Sequence, residues 1–317
     1  MLAIVCPGQG SQTPGFLAPW LELPGVRDHL TALSDVVGLD LIAHGTVSDE
    51  ETIKDTAVAQ PLIVAAGLMA GRLLLDPSAL TSATVLAGHS VGEITASAIA
   101  GALPEKDALV FVRERANAMA RAAAVEPTGM SAVLGGDPDD VAAALEAAGL
   151  TAANANGGGQ VVAAGTHNQL EVLTAAPPAK ARVIPLKVAG AFHTSHMAPA
   201  VTVLEALRPS LSPQDPLPTL LSNRDGAAVV SGEANLDSLI AQVSRPVRWD
   251  LCMENMVAMG VTGILELPPA GTLTGLARRG MKGVPTLALK SPEDLPAARE
   301  FILEHSGTAA TTGEGNA

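Results

Sequence analysis

A serine flanked by glycines, in Gly88-His89-Ser90-Val91-Gly92, follows a short apolar run at 84–87 and precedes small residues at 91–99. That order predicts a strand, a sharp turn and a helix. Glycines on either side let strand and helix approach closely, so the serine hydroxyl projects above a sheet. The helix amino terminus beneath it offers unpaired backbone N–H groups and a positive dipole end. Negative charge developing on a substrate oxygen is stabilised there. The chemistry this predicts is nucleophilic attack by Ser90, with a plain structural turn as the alternative.

A serine nucleophile needs a base. Seven histidines are available. His29, His44 and His305 lie in polar or terminal surroundings and read as surface residues. His167 stands at the entry to a predicted helix, where capping is its expected task. His89 adjoins the nucleophile, but neighbouring side chains on a tight turn diverge, so a structural role is expected. His193 and His196 remain, and periodicity alone does not separate them. Loop 8–12, Gly8-Gln9-Gly10-Ser11-Gln12, follows the first predicted strand and can turn backbone N–H groups towards a site above the sheet. A phosphate-binding fingerprint fails there, because Gly-x-Gly-x-x-Gly is incomplete. Arg113, Arg115 and Arg121 share a predicted helix over 105–123. Beside neighbours as apolar as Ala116, Ala118 and Met119, an inward arginine is costly unless it meets an anion, and a carboxylate would satisfy it in two-pronged fashion.

The elements that must position these residues are α/β in pattern. A strand is expected at 2–6, a helix at 57–75, and after the 105–123 helix comes the succession 130–134, 138–148, 151–154, 160–164, 168–175 and 182–186. That β-α-β-β-α-β order is the ferredoxin-like pattern. Helices near 197–207, 235–243 and 249–259 and strands near 263–267 and 286–289 return the chain to mixed α/β. The tail 306–317 is small and polar, and disorder is expected. Hydrophobic residues make up 48% and aromatics 2% of the chain, so the core must be built from Ala, Val, Leu and Ile, as suits a buried parallel sheet. A net charge of -13 without any Lys/Arg-rich run argues against nucleic acid. The two cysteines, Cys6 and Cys252, make no disulfide framework, and a reducing compartment is expected. No signal peptide is legible, nor any uninterrupted apolar stretch of the ~18 residues a membrane helix needs. A cytoplasmic protein is expected.

Taken in order, Gly8-Gln9-Gly10-Ser11-Gln12, Gly88-His89-Ser90-Val91-Gly92-Glu93, Arg115 with Met119 four residues on, and Gly190-Ala191-Phe192-His193 resemble the malonyl-CoA:acyl carrier protein transacylase family. Ala59-Gln60-Pro61, Asn156-Gly157-Gly158-Gly159-Gln160, Pro246-Val247-Arg248-Trp249 and Gly271-Thr272-Leu273-Thr274-Gly275-Leu276 add to the match, which runs from Pro7 to about Leu289. The resemblance implies an α/β-hydrolase-like large domain over 1–126 and 191–305, with a ferredoxin-like subdomain inserted at 127–190. It also implies roles. Ser90 is then the nucleophile and His193, not His196, its base. Backbone N–H groups of Gln9 and Val91 form the oxyanion hole, and the backbone carbonyl of Gln242 orients the histidine in place of an acid. Arg115 holds the malonyl carboxylate, with Gln60, Met119, Asn156 and Phe192 around the acyl group. One departure is Arg245, where the family often has Asn before Pro-Val.

The implied substrates are malonyl-CoA and an acyl carrier protein, with no metal or redox cofactor. Carrier proteins are acidic, so a local basic patch must offset the overall charge; Lys187, Arg278 and Arg279 are the candidates. A monomer is expected, since no association motif is evident. A serine esterase or thioesterase on the same scaffold would share Ser90 and His193 but have no use for a buried Arg115. A non-catalytic carrier-binding module would not need the complete Ser, His and Arg set.

Overall fold

The computed structural model describes residues 1–75, 80 and 83–306, so the expected tail lies outside the described residues beyond Ser306. In chain order the strands are β1 (Leu2–Cys6), β2 (Thr84–Gly88), β3 (Thr128–Gly135), β4 (Thr151–Gly157), β5 (Gln160–Thr166), β6 (Ala181–Pro185), β7 (Thr219–Leu220), β8 (Val247–Arg248), β9 (Gly263–Glu266) and β10 (Thr286–Ala288). They form two five-stranded sheets, in an α/β architecture.

The first sheet is parallel throughout, in the order β10-β9-β1-β2-β7. Its central strands are continuous apolar or small runs, Leu-Ala-Ile-Val-Cys and Thr-Val-Leu-Ala-Gly, and every residue in both is buried. Strands covered on both faces have no need to alternate polar and apolar residues. Cys6 pairs with Gly88, so β1 and β2 end side by side. Loop 8–12 and the Ser90 turn therefore leave adjacent carboxyl ends of the sheet, the place where open α/β sheets bind ligands.

The helix Thr56–Leu74 packs in the core against the helix Glu105–Ala123. It starts at Asp55, whose carboxylate accepts the Ala57 N–H at 2.8 Å. By length and composition this helix is apolar enough to cross a membrane, although Gln60 and Arg72 interrupt its apolar run. Its apolar window is 72% buried inside the fold, as befits a core helix.

The second sheet has the order β6-β3-β5-β4-β8, antiparallel except that β8 runs parallel to β4. Helices Pro138–Ala147 and His167–Ala175 supply Val141, Leu145, Leu170 and Leu173 to a separate small core with Val133, Leu150 and Ala163. Because β8 comes from residues 247–248, this sheet is completed by a distant part of the chain.

Several histidine expectations need correction. His29 is buried at 7% exposure, on a helix Val26–Val37 not expected from the sequence, and its Nε2 meets Glu105 Oε1 at 3.1 Å. His305 is equally buried; its Nδ1 meets Thr262 Oγ1 at 3.0 Å and its ring packs on Phe301. The cap of the His167–Ala175 helix is Thr166, in a capping box with Gln169, and not His167. Residues Leu41–Thr46, Glu50–Lys54, Thr272–Gly280 and Leu295–His305 are likewise helical beyond expectation.

Candidate active site

The turn that carries Ser90 is fixed by the absence of side chains around it. A Cβ on Gly88 would lie 2.0 Å from the Gly92 carbonyl carbon, and one on Gly92 would lie 2.1 Å from the Cys6 carbonyl oxygen. Ser90 itself is held at φ 54°, a left-handed conformation costly for a residue with a Cβ. His193 shares it, at φ 63°. The Ser90 and His193 side chains thus both stand on strained, left-handed backbone.

Ser90 Oγ lies 2.8 Å from His193 Nε2. On the far side of the ring, His193 Nδ1 donates to the Gln242 backbone carbonyl at 2.9 Å. That bond puts the proton on Nδ1 and leaves Nε2 free to accept from the serine. The same carbonyl also accepts the Arg245 N–H at 3.1 Å, and the His193 N–H donates to Val243 at 3.1 Å. The backbone of residues 242–245 therefore holds the His193 ring and N–H directly, whatever side chain stands at Arg245. His196 is elsewhere, with Nδ1 3.2 Å from Glu126.

Arg115 is 1% exposed and turns inward from the helix Glu105–Ala123. One guanidinium nitrogen, Nη2, donates to Ser90 Oγ at 3.2 Å and to Gln242 Oε1 at 2.8 Å, while Nη1 donates to Gln60 Oε1. Gln60 in turn reaches Met119 Sδ at 3.6 Å. Arg113 and Arg121 point away: Arg113 binds Glu114 and the Val36 carbonyl, and Arg121 is exposed.

The cleft above these groups is lined by Gln9, Val91, Met119, Asn156, Gln160 and Phe192, among others. Among the described residues, neither the Gln9 nor the Val91 backbone N–H makes a protein hydrogen bond. Asn156 belongs to the wall: its Oδ1 meets His89 Nε2 at 2.9 Å, and His89 is wedged edge-on against Trp249. His89 is thus tied to Asn156 and Trp249 of the scaffold. Lys187, Arg278 and Arg279 are all exposed. Arg279 reaches the cleft edge, donating to Gln160 at 2.9 Å, and Arg278 donates to Thr286 at 3.2 Å.

A family model described as "Acyl transferase domain" matches residues 3–313. The malonyl CoA-acyl carrier protein transacylase of Mycobacterium tuberculosis (strain H37Rv) is 53% identical over 296 residues, covering 93% of this chain and 98% of that protein. The chain belongs to the malonyl-CoA:acyl carrier protein transacylase family. A further relative with that protein name, from Escherichia coli K12, is 32% identical over 306 residues, covering 94% of this chain and 99% of its own length. Among solved structures, the crystal structure of MCAT from Mycobacterium tuberculosis superposes with a TM-score of 0.90 at 52% identity, over 94% of this chain and 99% of that one. A type II PKS acyl-carrier protein in complex with its malonyl-transacylase (PlMCAT:AntF) gives 0.85 at 30% identity, over 94% and 99% respectively.

Electrostatics in this transacylase-family site follow from burial. Desolvation holds the His193 imidazolium down, to about 3, and the Arg115 charge adds to that. His193 is therefore the neutral imidazole that a proton acceptor must be. Arg115 is itself lowered to about 10 by burial and partly restored by Glu93, so it is cationic at neutral pH.

Two residues and one further side chain of the site carried no role in the sequence reading. Glu93, Asn223 and the side chain of Gln242 interlock beneath Ser90. Asn223 Oδ1 accepts the Ser90 N–H at 2.8 Å, and its Nδ2 donates to the Gly88 carbonyl at 2.7 Å. Glu93 stood in the quoted motif, but nothing local marked what it meets 130 residues later.

Proposed function

We propose that this chain transfers a malonyl group from malonyl-CoA to the phosphopantetheine thiol of an acyl carrier protein, through malonyl-Ser90. The observation that carries this reading is Arg115: a buried guanidinium 3.2 Å from the nucleophilic oxygen is placed for an acyl group that bears its own carboxylate. In the first step Ser90 Oγ gives its proton to His193 Nε2 and attacks the thioester carbonyl. The oxyanion settles against the Gln9 and Val91 N–H groups, each contributing about 3 kcal/mol in the transition state. Collapse breaks the C–S bond, and CoA leaves with the proton from His193. In the second step the carrier thiol passes its proton to His193 and attacks the ester carbonyl, and Ser90 Oγ leaves with that proton. Neither step calls for a metal or a redox cofactor.

Gln60 fixes the Arg115 guanidinium, and Met119 and Phe192 confine the acyl chain, which leaves little room for an α-methyl branch. Lys187 lies between the cleft-lining Leu186 and Val188 in sequence and Arg279 bonds the cleft-lining Gln160, and we read these two with Arg278 as the docking patch for an acidic carrier protein. The strand order β6-β3-β5-β4 supports a ferredoxin-like subdomain over 127–190, set into an α/β-hydrolase-like domain. We further read the protein as a cytoplasmic monomer; the free, buried thiols of Cys6 and Cys252 accord with a reducing compartment.

The test follows malonyl-CoA, phosphopantetheinylated carrier protein and free malonate together. Malonyl-carrier protein should accumulate with little malonate; malonate as the main product would favour a thioesterase instead. Charge reversal at Arg278 and Arg279 should raise the KM for the carrier protein at least about tenfold, the effect of losing ~1.4 kcal/mol of attraction, and leave acylation by malonyl-CoA intact. Unchanged carrier kinetics would remove the patch.

A further inference from the structure

The nucleophile and the support of its base come from segments far apart in the chain. Ser90 sits on the turn after β2; the carbonyl that orients His193 belongs to Gln242. One buried carboxyl group joins them. Glu93 lies in the first turn of the helix Gly92–Ile99 and is 4% exposed. Its Oε1 accepts the Asn223 backbone N–H at 2.6 Å, and its Oε2 accepts from the Gln242 side-chain amide. Through Asn223 it reaches the Ser90 N–H and the Gly88 carbonyl. Through Gln242 it reaches the His193 ring, the Arg115 guanidinium and, at 3.2 Å, the Ser90 carbonyl. A shift of either arm would move the serine relative to its base.

We propose that Glu93, as a carboxylate, is a positioning residue that holds the Ser90 turn and the Gln242 support of His193 in one register. The inference rests on the acyl-transfer reading and adds to it a residue that touches no substrate. Hydrogen-bond chemistry argues for the ionised form. The Asn223 and Gln242 partners are N–H donors, so the oxygens facing them must accept, and the Ser222 hydroxyl adds a further hydrogen bond that favours the carboxylate. A protonated carboxyl, or a glutamine, offers a donor to one of them and opens that arm.

Burial pushes the Glu93 carboxyl up, to about 8, while the Asn223 N–H and the Arg115 charge draw it down. The other charged or titratable groups facing it are Asp225, in the loop after β7, and Cys252, on the helix Trp249–Ala258. His193 is reached through Gln242. With the sign worked out, the clamp is closed above the Glu93 pKa and opens as pH falls through it. The rate of Ser90 acylation should then show an acidic limb above the ordinary glutamate range. His193, held neutral by burial and the Arg115 charge below that range, supplies no such limb.

The experiment is single-turnover malonylation by malonyl-CoA, read by intact mass across the neutral range, for the wild-type chain and Glu93→Gln. In Glu93→Gln the saturating rate on the plateau above the Glu93 pKa should fall about 10- to 100-fold, the effect of losing one hydrogen bond to a charged group, and the difference should shrink as pH falls. The malonyl-CoA concentration for half-maximal rate should stay nearly constant, and the acidic limb should vanish. A variant that acylates as fast as wild type overturns the proposal. So does a wild-type rate that is flat across the neutral range, a result that needs no variant to fold. A wild-type chain that takes up no malonyl group at all would strike the acyl-transfer reading itself.

Discussion

Replacing His193 with asparagine, which tolerates the left-handed backbone at φ 63°, is expected to slow acylation of Ser90 by about 10³-fold, within the range for a lost general base. The substitution removes the acceptor 2.8 Å from Ser90 Oγ, so no group takes the serine proton as the C–O bond forms. Stopped-flow release of CoA measures it. The malonyl-CoA concentration for half-maximal rate should change little, because the imidazole meets the reacting centre and not the bulk of the substrate. A rate within tenfold of wild type would mean that another group serves as base. His196, paired with Glu126, and His89, held by Asn156, offer no such group.

The second large effect concerns selectivity. Arg115→Ala should reduce malonyl transfer by about 10²- to 10⁴-fold, as expected for the loss of two charge-assisted hydrogen bonds at ~1.5–3 kcal/mol each. Acetyl transfer should fall far less, and so rise relative to malonyl, for two reasons. An acetyl group has no carboxylate to lose, and Arg115 is one of the charges that hold His193 down. Pairing with the substrate carboxylate would quench that charge at the moment of attack, so the wild-type base is strongest when a dicarboxylic acyl group is bound. Competition between malonyl-CoA and acetyl-CoA, read as a ratio of kcat/KM, checks this. An unchanged ratio would remove Arg115 from recognition of the acyl group.

Local features of this fold were legible and remote ones were not. The Ser90 turn could be read because its requirements lie within five residues: glycines where a Cβ would meet backbone at 2.0 and 2.1 Å. The two sheets could be anticipated from short apolar runs, and the central parallel pair from strands with no polar face. Periodicity left His193 and His196 open, because the decision rests on a carbonyl 49 residues away, and every residue has a carbonyl. Glu93, Asn223 and the Gln242 side chain were silent for the same reason: their partners are set by the packing of helix ends, not by spacing. His29 and His305 misled in the other direction. Each stands among polar neighbours in sequence, yet Glu105 and Thr262 satisfy its ring and allow burial. The helix Thr56–Leu74 is long and apolar enough to pass for a membrane span by average composition, and its place in the core agrees with the interrupted run read from the sequence.

The central claim is that a malonyl group rests on Ser90 between two thiols, and intact-protein mass spectrometry after brief mixing with malonyl-CoA addresses it most directly. The wild-type chain should gain the mass of one malonyl group, which peptide mapping should place on Ser90, and lose it again on addition of phosphopantetheinylated carrier protein. Ser90→Ala, and Ser90→Gly, which suits the positive φ of that turn, should gain nothing. Release of CoA by the wild-type chain with no adduct, or an adduct that persists in the Ser90 variants, would contradict the account.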